Sequence, residues 1–246
     1  MLGTVRLRVG LARPLGGLLF VAGLLLGMAL FGAVIWGDLE AALFSPGIQQ
    51  DAALRSLRCP VLITRSETGT VSARLKNPLE RSTERYVRAH ISDGYVTLMR
   101  EINTRVPLDP GERQRLEWTV TADDAAFGRL VLVKVVLRAR YPLPSRQGTC
   151  GILVLDVPYL TGNQFFALGF AVSLLSMAAG CVLWFRAGEP LRERGRQVGR
   201  AMGVLAGIVL VGTIVALMGW WVIGLIFFVF TVLGIGVTIG YLASRR

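Results

Sequence analysis

Apolar and polar residues along this chain are segregated into long blocks. No charged side chain falls within Leu15–Trp36, within Phe165–Phe185, or between Ala201 and Ala243. A bilayer core of about 30 Å needs roughly 20 helical residues, so the first two blocks each predict one membrane span. As a single helix the third would reach about 65 Å, twice the membrane thickness. It therefore predicts two spans that fold back at Met218-Gly219-Trp220-Trp221. Glycine loosens a helix, and tryptophan favours the membrane–water interface.

The section between the first two blocks has the opposite character. In Val71-Ser72-Ala73-Arg74-Leu75-Lys76 every second residue is apolar, as a strand with one wet face requires. Strands are predicted over 59–65, 70–77, 85–92, 95–103, 113–121, 129–141 and 149–157. Asp93-Gly94 is a two-residue hairpin signal, and Asn77-Pro78 and Asp109-Pro110-Gly111 mark further turns. Seven strands in about 100 residues predict an antiparallel, immunoglobulin-like β-sandwich. The expected fold class is thus a membrane α-helical protein with four transmembrane helices and an extracytoplasmic all-β sandwich. Its parts are a cytoplasmic tail (1–14), transmembrane helix 1 (15–36), a connector (37–58), the sandwich (59–158), transmembrane helix 2 (165–185), a cytoplasmic loop (186–200), and transmembrane helices 3 (201–219) and 4 (222–243).

Charge sets the expected orientation. Arg6, Arg8 and Arg13 precede the first span. Arg186, Arg192, Arg194, Arg196 and Arg200 lie between the second and third, and Arg245 and Arg246 follow the fourth. With four spans all three groups fall on one side, which the positive-inside rule makes cytoplasmic. The chain is then a multi-pass protein of the bacterial cytoplasmic membrane, with both termini inside and residues 37–164 outside. The first apolar core is too long for a cleaved signal peptide and reads as an uncleaved anchor. Residues 37–164 carry 17 basic and 14 acidic side chains without a basic run. This argues against nucleic acid as a partner, since binding it needs a concentrated basic face.

Cys59 and Cys150 bracket the outer section, while Cys181 lies within an apolar block. Two cysteines outside the cytoplasm predict a disulfide. Closing a loop of about 90 residues would stabilise by about 4 kcal/mol in the chain-entropy picture. His90 is the one histidine and reads as a structural strand residue. Asp123-Asp124 reads as a turn, because calcium needs more oxygen ligands at regular spacing. The spans hold no Asp, Glu, Lys, Arg or His, which argues against a transporter, proton pump or haem carrier. No catalytic residue, cofactor or metal is expected. Gly23-x-x-x-Gly27, Gly203-x-x-x-Gly207 and Gly236-x-x-x-Gly240 each place two glycines on one helix face, where they permit close helix packing within the chain or against a partner.

Leu108-Asp109-Pro110-Gly111-Glu112 followed by Trp118 resembles a turn-and-strand of bacterial immunoglobulin- and fibronectin-like modules, which implies fold alone. The layout as a whole, a retained first span, a Cys59/Cys150 outer domain and three later spans, resembles small accessory subunits of bacterial respiratory or photosynthetic complexes of the alternative complex III type. That resemblance implies a role in stabilising or positioning redox subunits, without cofactors on this chain. The expected function is therefore a non-catalytic subunit among other integral membrane subunits. The alternative is a membrane-anchored extracytoplasmic binding or adhesion module, with an aromatic patch near Tyr86, Tyr95 or Tyr141.

Overall fold

The computed structural model describes residues 2–44, 52–186 and 193–243. Four helices follow the apolar blocks: α1 (Leu2–Leu43), α2 (Gly162–Arg186), α3 (Glu193–Leu217) and α4 (Trp221–Ala243). By length and composition all four can cross a membrane. Between α3 and α4 the chain turns at Gly219, whose φ of 82° suits glycine because it has no Cβ. Glu189, Arg192, Arg245 and Arg246 lie outside the described residues.

The chain divides into a helical unit (1–35 and 166–246) and a second, mostly β unit (36–165), called the outer unit after the side of the membrane on which the sequence predicts it. In the helical unit Phe20, Leu24, Met177, Met202, Leu205 and Val209 form one buried cluster shared by α1, α2 and α3. Phe31 of α1 meets Phe228 of α4 edge-on, with ring centres 5.7 Å apart.

The outer unit contains β1 (Ala52–Ala53), β2 (Leu62–Thr64), β3 (Gly69–Lys76), β4 (Thr83–Asp93), β5 (Tyr95–Leu108), β6 (Arg113–Val120), β7 (Leu130–Leu137) and β8 (Arg146–Leu155). It corrects the predicted fold class. Six strands form a mixed sheet in the order β1-β8-β7-β4-β5, with β2 also on β8, and β3 and β6 form a separate two-stranded ribbon. β1 and β2 run parallel to β8, so the sheet is not the antiparallel layer of an immunoglobulin-like sandwich, and no closed sandwich of that kind forms. The physical reason lies in the short strand β2. It leaves the Cys59 region alongside β8 and pairs there instead of extending the ribbon.

Ribbon and sheet share one apolar core. Val71, Ala73, Leu75, Trp118 and Val120 of the ribbon meet Val87, Ala89, Ile91, Val131, Val133 and Ile152 of the sheet. Burying such side chains supplies the main driving force for folding in water. Buried polar groups are matched at the joints. The Asn77 amide donates to the carbonyls of Arg81 and Leu108, at 2.9 and 3.1 Å, where the chain leaves the ribbon for the sheet. The hydroxyl of Ser92 donates to the Asp124 carbonyl at 2.6 Å and accepts from the Leu132 amide at 2.9 Å. It thereby supplies an acceptor beyond the last register pair of β4 with β7, Ile91↔Val133. The Asp109 turn is closed twice: Glu112 N–H donates to the Asp109 carbonyl at 3.0 Å, and the Glu112 carboxylate accepts from Asp109 N–H at 2.7 Å.

Both helix ends that belong to the outer unit are built into the sheet. Gly37 lies against Gly151 of β8 so closely that a Cβ on Gly151 would overlap the Gly37 backbone. One turn on, Ala41 and Phe44 pack with Leu132 of β7 and with Ala126. At the start of α2, a Cβ on Gly162 would overlap Leu62 of β2. Glu67 accepts from Gly162 N–H at 2.7 Å, placing negative charge at a helix N-terminus where the helix dipole favours it. Thr161 and Gln164 exchange side-chain and backbone hydrogen bonds, at 3.1 and 3.3 Å, in the manner of a capping box.

Candidate functional site

The six glycines expected to pack helices divide into two groups. Gly23 and Gly27 lie in a seam between α1 and α2. A Cβ on Gly23 would stand 2.7 Å from the Ser173 carbonyl, and one on Gly27 would stand 2.6 Å from the Ser173 hydroxyl. The hydroxyls of Ser173 and Ser176 donate to the Gly23 and Leu19 carbonyls at 2.7 and 2.8 Å. Gly16 and Gly180 continue the seam: a Cβ on Gly16 would stand 2.9 Å from the Gly180 carbonyl, and one on Gly180 2.6 Å from the Gly16 carbonyl. Sequence spacing did not single them out, because neither has a second glycine four residues away. Gly212 was missed for the same reason: it makes room for Phe31, whose Cζ would lie 2.6 Å from a Cβ there.

Gly203, Gly207, Gly236 and Gly240 behave differently. Among the described residues, a Cβ on any of them would meet nothing within 4 Å beyond its own helix. Gly203 and Gly207 share an exposed face of α3 with Val204, Val211 and Ile214. In lipid, helices associate through close packing and hydrogen bonding rather than through water's expulsion of apolar surface. An open glycine face is thus a place where another backbone could approach.

In the outer unit Cys59 and Cys150 are joined in a disulfide, with their Cα atoms 6.5 Å apart. Cys150 sits in β8, but Cys59 lies in an extended link before β2 instead of within a first strand. His90 lies on β4 opposite Glu101 of β5 and Lys134 of β7. Its Nε2 is 3.5 Å from Glu101, which also pairs with Arg88 at 3.1 Å and accepts from the Asn103 amide at 2.7 Å. Burial holds the imidazole below its usual pKa, against the raising influence of Glu101. Burial likewise lowers Lys134. The Asn103 hydrogen bond is the main influence holding Glu101 below the ordinary carboxylate range. A strongly buried Arg85 donates to the Pro144 carbonyl at 3.2 Å, and burial, aided by Arg146, lowers its pKa.

Asp123 and Asp124 stand in a short 3₁₀ turn (Ala122–Asp124). Asp124 accepts from Thr121 N–H at 2.8 Å and pairs with Arg100 at 3.2 Å. Among the described residues no three His, Cys, Asp or Glu side chains are grouped to hold a metal ion. The three tyrosines are not gathered into a patch that the structure describes. Tyr86 is half-buried under the Arg138 guanidinium, 4.9 Å from its ring centre. Tyr141 projects from the β7–β8 connection at 91% exposure, and the side chain of Tyr95 lies outside the described residues.

No family model matches the chain, and no curated protein matches it, so the likeness in layout to respiratory accessory subunits has no counterpart in either comparison. Among solved structures, a β-glucuronidase of Bacteroides uniformis bound to a cyclophellitol aziridine is 19% identical, over 39% of this chain and 12% of that one, with a TM-score of 0.29. A metal-bound CARDB domain from Pyrococcus furiosus is 14% identical over 41% of this chain and 90% of that domain, with a TM-score of 0.31. A β-glucosidase of Listeria innocua in complex with glucose is 14% identical over 39% of this chain and 15% of that one, with a TM-score of 0.28. The chain thus spans only a small part of the two glycosidases. At these scores the likenesses assign neither fold nor activity.

Proposed function

We propose that this chain is a non-catalytic subunit of a larger bacterial membrane assembly. In this reading it crosses the cytoplasmic membrane four times, with both termini inside, and holds its disulfide-closed domain on the outer side. The observation that carries the reading is the open glycine face of α3. Among the described residues a Cβ on Gly203 or Gly207 would meet no other element of the chain, and glycine in a helix interior costs roughly 0.5–1 kcal/mol relative to alanine. A helix of a partner subunit lying across that face would put the missing side chains to use.

The test is purification from native membranes in mild detergent, with mass spectrometry of what co-migrates. The expected result is one or more integral membrane subunits in stoichiometric amount, lost from the Gly203→Leu/Gly207→Leu double variant while the chain itself stays folded. A solitary monomer, or unchanged partners in the variant, would overturn the reading.

A further inference from the structure

The outer face of the β3–β6 ribbon is basic in a way that no run of sequence displays. Register places Lys76 opposite Arg113 and Arg74 opposite Arg115. All four are exposed. Like charges directly opposite each other destabilise a sheet, yet here two alternate rungs, neighbours on one face, carry them. Among the described residues one acid pairs with any of the four, Glu117, 2.7 Å from Arg115. Glu112, next to Arg113, is turned away to close the Asp109 turn.

These charges border an open strand edge. β6 pairs with β3 alone among the described strands. Ser72, opposite Glu117, gives both its backbone groups to Arg58, at 2.7 and 2.9 Å. Ser72↔Glu117 is therefore a non-hydrogen-bonded pair, and the backbone groups of Glu117 point away from β3. By the same alternation Arg113 and Arg115 also face the free edge. At its far end the edge is closed by Arg100 of β5, which donates to the Thr119 carbonyl at 2.9 Å.

We propose that the free edge of β6 takes up an extended segment of a partner protein, one bearing acidic side chains at alternate positions. An added strand would satisfy the outward backbone groups. Its alternate side chains would stand opposite Arg113 and Arg115, about 4.5–5.5 Å between Cβ atoms. A protein segment is favoured over lipid head groups because head groups could neutralise the arginines but would leave the alternating N–H and C=O groups of the β6 edge without a strand partner. This inference is independent of the α3 glycine face.

The full chain in nanodiscs of zwitterionic lipid is titrated with a fluorescent ten-residue peptide of alternating threonine and glutamate. Saturable binding that weakens with salt is expected, with affinity falling at least about tenfold in the Arg74→Gln/Arg113→Gln variant. Glu117→Pro separates strand addition from plain attraction. It removes an acid, so charge alone would tighten binding, but it also removes an outward N–H at an edge position that tolerates proline. Weaker binding is expected. No saturable binding to the unaltered chain, unchanged affinity in the double variant, or tighter binding by Glu117→Pro would overturn the proposal. So would capture of phosphatidylglycerol vesicles by a chain that ignores the peptide.

Discussion

In the helical unit two helices are fastened along a seam of glycines and serine hydroxyls; in the outer unit an aliphatic core is closed by buried polar groups and a disulfide. At Gly23 the backbones of α1 and α2 leave no room for a Cβ, and Ser173 and Ser176 fasten the seam. In the outer unit, Asn77 and Ser92 stitch a core of valine, isoleucine and leucine, and Cys59–Cys150 closes a 91-residue separation. The difference follows from the surroundings. Lipid offers no drive to bury apolar area, so helices gain mainly from contact and hydrogen bonds. Water drives the apolar core together, and each buried polar group must then find a partner.

Removing the disulfide gives the largest expected effect. Cys59→Ser should cost the outer unit about 4 kcal/mol and leave the helical unit in place. Two separated thermal transitions, with only the outer one lowered, would sharpen the contrast between the units. A single transition falling as a whole would break it. The next effect lies within the helical unit. Gly23→Leu forces a side chain into the Ser173 backbone and should cost about 3 kcal/mol, whereas Gly203→Leu should not destabilise the isolated chain and, by helix propensity, should stabilise it by about 0.5–1 kcal/mol. Equal losses in detergent melting would show that the α3 face is not open in the folded chain.

The difference between these glycines was not legible in the sequence, since Gly23-x-x-x-Gly27 and Gly203-x-x-x-Gly207 are the same pattern. Which face of a helix meets a neighbour depends on how four helices are arranged, and uniformly apolar spans carry little record of that. In the outer unit the alternation of apolar residues located most strands, because the period of two is imposed by one buried face. Strand order was not legible. The parallel contact of β2 with β8 joins Leu62 to Leu153, and nothing local to either segment specifies it. The cationic rungs escaped notice for the same reason: Lys76 and Arg113 become neighbours only through sheet register.

A smaller effect is expected at Ser92. Ser92→Ala leaves the Leu132 N–H and the Asp124 carbonyl without their shared partner, in a buried position, and should cost about 1–3 kcal/mol. Ser92→Thr keeps the hydroxyl and should recover part of that loss. If both variants melt like the parent, polar matching does not hold the outer unit as the comparison requires.

The smallest effect concerns pH and the cluster of His90, Glu101, Arg88 and Lys134. The folded imidazole is held below its ordinary value by burial, with Arg88 and Lys134 adding to the depression and Glu101 opposing it. The unfolded chain therefore binds the His90 proton more readily than the folded one, and stability falls as pH drops below about 6.5. Glu101 is also depressed in the folded state, so it adds a further loss, but only at the lower pH where carboxylates titrate. The two windows are separable. Asp38, whose carboxyl burial raises to about 6, acts in the opposite sense over this window, because there the folded chain binds the proton more readily than the unfolded one; His90→Gln should therefore remove the decline between pH 7 and 5.5 and leave the acid-side decline intact. A decline between pH 7 and 5.5 that persists in the variant would place its origin in another group and remove His90 from the account of how the outer unit responds to acid.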